Sequence, residues 1–96
     1  MLNSKQRAFL RSQATTLDTI FQIGKGGITE EICFQIANAL EARELIKARV
    51  LENSGFSASD AANKIADAID ADVVSCVGSK FVLYKKSQKK QKIFLP

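Results

Sequence analysis

The sequence predicts an α/β (α+β) domain of order α-β-α-β-α-β-β with a partly parallel sheet. Three observations predict it. Stretches of helical periodicity alternate with short runs of β-branched and aromatic residues, and strands separated by helices need crossover connections. The last two runs are joined by Gly78-Ser79, a link short enough only for a hairpin, which adds one antiparallel strand. Finally, 96 residues with 46% hydrophobic content suit one folded domain. We place the domain at residues 1–84 and a basic tail at residues 85–96.

The first helix is expected over residues 4–14, where Leu2, Phe9, Leu10 and Leu17 share one side and Arg7 and Arg11 lie off it. Thr19 to Ile23 reads as a strand, stopped by glycines at 24, 26 and 27. The second helix follows from Thr29 as N-cap, with Glu30 and Glu31 suiting the positive end of its dipole. Its buried stripe is Ile32, Cys33, Ile36, Ala37 and Leu40. Phe34 falls on the opposite side, either packed under another element, which is the expectation, or exposed.

Leu45 to Leu51 alternates as a strand does, with Ile46, Ala48 and Val50 facing one way and Lys47 and Arg49 the other. After a turn at Asn53-Ser54-Gly55, Ser57 and Asp60 have capping-box spacing. They open a third helix whose inner face is Ala58, Ala61, Ala62, Ile65 and Ile69. Residues 73–77 and 81–84 are the closing strands. The tail is expected to be loosely ordered, with its apolar end, Ile93-Phe94-Leu95-Pro96, able to dock back on the domain.

Charge is segregated along the chain. The total is +4, with a pI near 9.3. Residues 1–17 carry +3 and residues 73–96 carry +6, with no acid in either segment, while all ten acids fall in residues 18–72. Two acid-free basic segments suit a polyanionic partner such as nucleic acid. The adjacent carboxylates Glu30-Glu31 and Glu41/Glu44 read as solvated helix-surface groups, or as partners of Arg43 and Lys47.

Cys33 and Cys76 lie far apart in apolar surroundings and read as two buried, reduced thiols. With no His and no CxxC, the usual zinc sets and His-based triads are excluded. The N-terminal residues lack the apolar run of a signal peptide, and no stretch approaches the roughly 20 apolar residues of a membrane span. A soluble, cytoplasmic protein is expected.

Gly24-Lys25-Gly26-Gly27 stands between a strand and a helix N-terminus, where backbone N–H groups and the helix dipole favour an anion. P-loop spacing fails, and a G-x-G-x-x-G fingerprint fails because Thr29 stands where the last glycine belongs. A G-x-x-G loop that clamps a nucleic-acid backbone fits. A tight strand-to-helix turn without a ligand is the competing reading.

Taken together, several runs resemble a known family. Lys5-Gln6-Arg7-Ala8-Phe9-Leu10-Arg11, Ile23-Gly24-Lys25-Gly26-Gly27-Ile28-Thr29, Ala42-Arg43-Glu44-Leu45-Ile46-Lys47, Tyr84-Lys85 and the closing Ile93-Phe94-Leu95-Pro96 look like the CRM (chloroplast RNA splicing and ribosome maturation) domain. The chain resembles its free-standing bacterial, YhbY-type, ribosome-associated form over essentially its whole length. The resemblance implies a two-layer fold like the C-terminal domain of bacterial translation initiation factor three, with a four-stranded mixed sheet whose last strand is antiparallel to the rest. It also implies RNA binding and, in bacteria, association with precursors of the large ribosomal subunit.

Carried over by position, the RNA-facing loop is Gly24, Lys25, Gly26 and Gly27. The family often has His-Glu where this chain has Arg43-Glu44, and often Arg where it has Lys85; both changes keep or add positive charge. The surrounding field is assigned to Lys5, Arg7 and Arg11, to Arg43, Lys47 and Arg49, and to Lys80, Lys85 and Lys86. The expected protein is a monomer that binds ribosomal RNA and assists large-subunit assembly, without catalytic residues, metal, cofactor or small-molecule substrate. The alternative is an adaptor that docks on a ribosomal protein or assembly factor through Phe34 or the apolar C-terminus.

Overall fold

The fold was obtained as a computed structural model, and the structure describes residues 2–96. Helix α1 spans Ser4–Ala14, strand β1 Thr19–Ile23, helix α2 Glu30–Arg43 and strand β2 Leu45–Val50. A single 3-10 turn, Glu52–Ser54, leads to helix α3, Ala58–Ile69, and to strands β3, Asp72–Val77, and β4, Lys80–Tyr84. Each α-helix starts at a side-chain cap. Asn3 and Gln6 cap α1 reciprocally, at 2.8 and 3.2 Å. Thr29 Oγ1 accepts the N–H of Ile32 at 3.1 Å, and Ser57 Oγ accepts that of Asp60 at 3.1 Å. The second strand closes at Val50, one residue earlier than its alternation predicts, with the Leu51 N–H making a last parallel bond to the Ile23 carbonyl at 2.9 Å.

The sheet has the order β1-β2-β4-β3. β1 and β2 are parallel, and β4 is antiparallel to both β2 and β3, so the last strand opposes the other three. Strand parity divides the apolar residues into two cores. Ile46, Ala48, Phe81 and Leu83 face α2 and α3, where the alanine stripe of α3 (Ala58, Ala61, Ala62, Ala66) brings that helix close around Ile65. Leu45, Val82 and Tyr84 face the other way and meet Leu2, Leu10 and Ala14. Helices α2 and α3 and the sheet are thus the two expected layers, and α1 adds partial cover on the sheet's second face.

The tail departs from its expected looseness. Residues 85–96 form no helix or strand, yet two acids hold them. Glu44 is 0% exposed and left-handed (φ 68°) at the end of α2. Its carboxylate accepts backbone N–H groups from Ser87 at 2.7 Å, Ile93 at 2.6 Å and Lys92. Glu41 accepts the Ser87 hydroxyl and the N–H of Gln88 at 3.0 Å. These carboxylates, expected in solvent or against Arg43 and Lys47, replace the backbone partners that a chain without secondary structure lacks. Ile93 and Leu95 complete the docking against the second core.

Two further expectations are corrected. Phe34 is 67% exposed, because no element covers the side of α2 opposite Ile36. Cys33 is only half-buried, and Cys76, in the edge strand β3 one residue from the hairpin, is exposed.

Candidate nucleic-acid interface

The glycine loop is a closed turn in which the Gly27 N–H donates to the Gly24 carbonyl at 2.9 Å. Lys25 and Gly26 form its exposed tip. The glycines have different reasons to be there. Gly27 has φ 72°, and a Cβ on it would stand 3.4 Å from the Phe56 ring, so the fold itself requires glycine. A Cβ on Gly26 would meet nothing within 4 Å. The protein's packing therefore does not require glycine at the tip, where an approaching backbone would benefit from it. The start of α2 is less open to anions than the sequence implies: Thr29 satisfies the Ile32 N–H, and Glu30 and Glu31 supply negative charge in the first turn. Lys25 is the one cation of the loop itself.

The loop follows the C-terminal end of β1, and the sheet register places a basic row beside it. Gln22 pairs with Arg49, Arg49 with Lys80, and Lys80 with Val77. In the next row Lys47 pairs with Val82, and Val82 with Ser75. By parity, Lys47, Arg49 and Lys80 all project from the face opposite α2 and α3. The α1 contacts centre on the other end of this face, around Leu45 and Tyr84, which leaves the cationic end open. Arg11, in the last turn of α1, leans over it. A groove of about 360 Å³ results, with Arg11, Lys47 and Lys80 around Ala14, Val77 and Val82. The Arg49 Nε, on the same sheet face, is buried without a hydrogen-bond partner. Glu30, Glu31, Asp60 and Asp67 belong to the helices of the opposite layer, and Asp72 pairs with Tyr84 at the far end of the sheet from the cationic rows.

The other basic candidates scatter. Lys5 is exposed and Arg7 half-buried on the first two turns of α1. Arg43, Lys85 and Lys86 cluster where β2 begins and β4 ends, about 17 Å along the sheet from the glycine loop. Lys85 is not a free cation: its Nζ donates to the Ile69 carbonyl at 2.7 Å and caps α3. Lys86 is exposed and lowers the Glu44 pKa by its charge. Among the described residues, no three His, Cys, Asp or Glu side chains form a group that could hold a metal ion. No described helix is long and apolar enough to cross a membrane.

Sequence reasoning missed the apolar floor between the cations and the two tail-holding acids. Alternation in Lys80, Val82 and Tyr84 is a signal for the floor. The acids carry none, because their partners are more than 40 positions away.

Fold and site together define a small mixed α/β domain with an open, cationic sheet face flanked by a glycine-rich turn. The family model described as the CRS1/YhbY (CRM) domain matches residues 2–85. The chain belongs to the CRS1/YhbY (CRM) domain family. It is 46% identical to the Bacillus subtilis "Probable RNA-binding protein YqeI", over the full length of both chains. It is 35% identical to a Haemophilus influenzae protein named "RNA-binding protein", over 99% of this chain and 95% of that one. Among solved structures it resembles the solution structure of a Staphylococcus aureus protein described as a candidate RNA binder, with 43% identity, full coverage of both chains and a TM-score of 0.74.

Proposed function

We propose that this protein binds RNA through its open sheet face and glycine loop, and that its target is ribosomal RNA of the large-subunit precursor, whose assembly it assists as a cytoplasmic monomer. One observation carries the binding mode: Lys47, Arg49 and Lys80 share the open end of one sheet face, with Arg11 above them and Lys25 at the adjoining loop. Such a field neutralises phosphates without reading sequence. Family membership and the names of the relatives support RNA as the polyanion. The family resemblance alone supports the ribosomal target. The protein's role is to bind and chaperone the RNA; no chemical step is assigned to it.

The target is tested by crosslinking in cells and mapping the joined RNA. Crosslinks concentrated in large-subunit precursor RNA support the reading, and an even spread over all transcripts refutes its ribosomal part. A second reading, as an adaptor for a ribosomal or assembly protein, is favoured by the exposed Phe34 beside Cys33 and Ala37. Under it, Phe34→Ser abolishes association with precursor particles while RNA affinity stays unchanged.

A further inference from the structure

The groove between α1 and the sheet has two properties that phosphate binding by itself does not need. Its floor is apolar, formed by Ala14, Val82 and Val77, and Val77 is 75% exposed. Its rim is cationic, formed by Arg11, Lys47 and Lys80. A large apolar side chain exposed among cations stays wet when a base-paired helix lies across it, because a duplex presents phosphates outward and keeps its bases stacked inside. The matching ligand carries an anionic group and a flat, weakly polar group on adjoining atoms.

We infer that this groove is a subsite for a single unpaired nucleotide, with its base against Val77, Val82 and Ala14 and its phosphate among Arg11, Lys47 and Lys80. This assignment rests on the RNA-binding reading above and narrows its substrate to RNA that carries an unstacked residue. Size agrees: about 360 Å³ lies near the lower end of ligand-sized cavities and admits one nucleotide, not a helix. Charge agrees, since three cations border one floor. The Arg11 guanidinium also offers a planar surface on which a base can stack. The glycine loop follows β1, whereas the groove reaches β3 at the other edge of the sheet. That separation is about 14 Å, so loop and groove hold different nucleotides of one strand.

The test compares a short RNA hairpin that has an unpaired loop with a fully paired duplex of equal length, at equal salt, for the wild-type chain and Val77→Ser. The exposure of Val77 makes the fold insensitive to this change. The expected result is tighter binding of the hairpin by the wild type. Val77→Ser then lowers hairpin affinity about fivefold through lost apolar contact, with duplex affinity and salt dependence unchanged. Equal affinity for the two RNAs, with Val77→Ser silent and salt-dependent binding intact, overturns the subsite and leaves the RNA-binding reading standing. Absence of binding to either RNA at low salt overturns both.

Discussion

The carboxylate of Glu44 accepts the backbone N–H of Ser87 at 2.7 Å, joining the end of α2 to a tail 43 positions further along the chain. Glu44 does this from a left-handed conformation that favours glycine, so a local cost is retained for a long-range contact.

This relationship predicts an ordering of variants. Glu44→Ala keeps the backbone strain and leaves three N–H groups without their acceptor, and should destabilise the fold by about 2–4 kcal/mol. Glu44→Gly also loses the acceptor but relieves the strain, and should be about 1 kcal/mol less destabilised than Glu44→Ala. Denaturant unfolding of the two variants checks the order. Equal stabilities would show that the left-handed conformation carries no cost.

The same contact makes the tail sensitive to acid. Burial pushes the Glu44 carboxyl up, and the N–H groups of Ser87, Ile93 and Lys92 outweigh it, so its pKa lies below the ordinary value. The Ser87 hydroxyl and the Gln88 N–H lower that of Glu41. An unfolded glutamate titrates near about pH 4.3. With the folded pKa depressed, the stabilisation is fully present above that value and is lost as pH falls through the folded one. Protection of the Ser87 and Ile93 amides, relative to their intrinsic exchange rates, should fall on acidification below about pH 4, before the core strands open. In Glu44→Gln these amides should already exchange fast at neutral pH.

Glycine substitutions separate folding from binding within one turn. Gly27→Ala forces a side chain into φ 72° against Phe56 and should cost about 1 kcal/mol or more. Gly26→Ala meets no protein atom and should leave stability within about 0.5 kcal/mol while weakening RNA binding at the loop tip. Thermal melts paired with RNA titrations distinguish the two. Unchanged RNA affinity in Gly26→Ala would remove the tip from the interface.

Lys85 provides the opposite control. Its ammonium is committed to the Ile69 carbonyl, so Lys85→Met should lower stability by about 0.5–1 kcal/mol and leave the salt dependence of RNA binding unchanged. A reduced salt slope would return Lys85 to the interface.

Much of this architecture is legible in the sequence because it rests on local chemistry. Thr29 and Ser57 mark helix starts through their own hydroxyls, and Lys47 and Arg49 reveal their shared face through period two. Strand order is not local. That Lys80 stands beside Arg49 depends on β4 inserting between β2 and β3, which no pattern within either strand announces. Glu44 looks like any helix-terminal acid until the tail folds over it, and Lys85 like any tail lysine until the end of α3 arrives beside it. Phe34 misleads for the converse reason: an aromatic residue off the buried stripe implies a covering element, and none is there.

The central claim is that the open sheet face and its loop hold RNA by neutralising phosphates. The most direct measurement is the slope of log affinity against log salt for the wild-type chain and for the combined variant Lys47→Gln, Arg49→Gln, Lys80→Gln. The wild type should show a steep negative slope, and the variant a slope shallower by about 0.7–0.9 for each phosphate contact removed, with its melting temperature nearly unchanged. A slope identical in the two proteins would contradict the account.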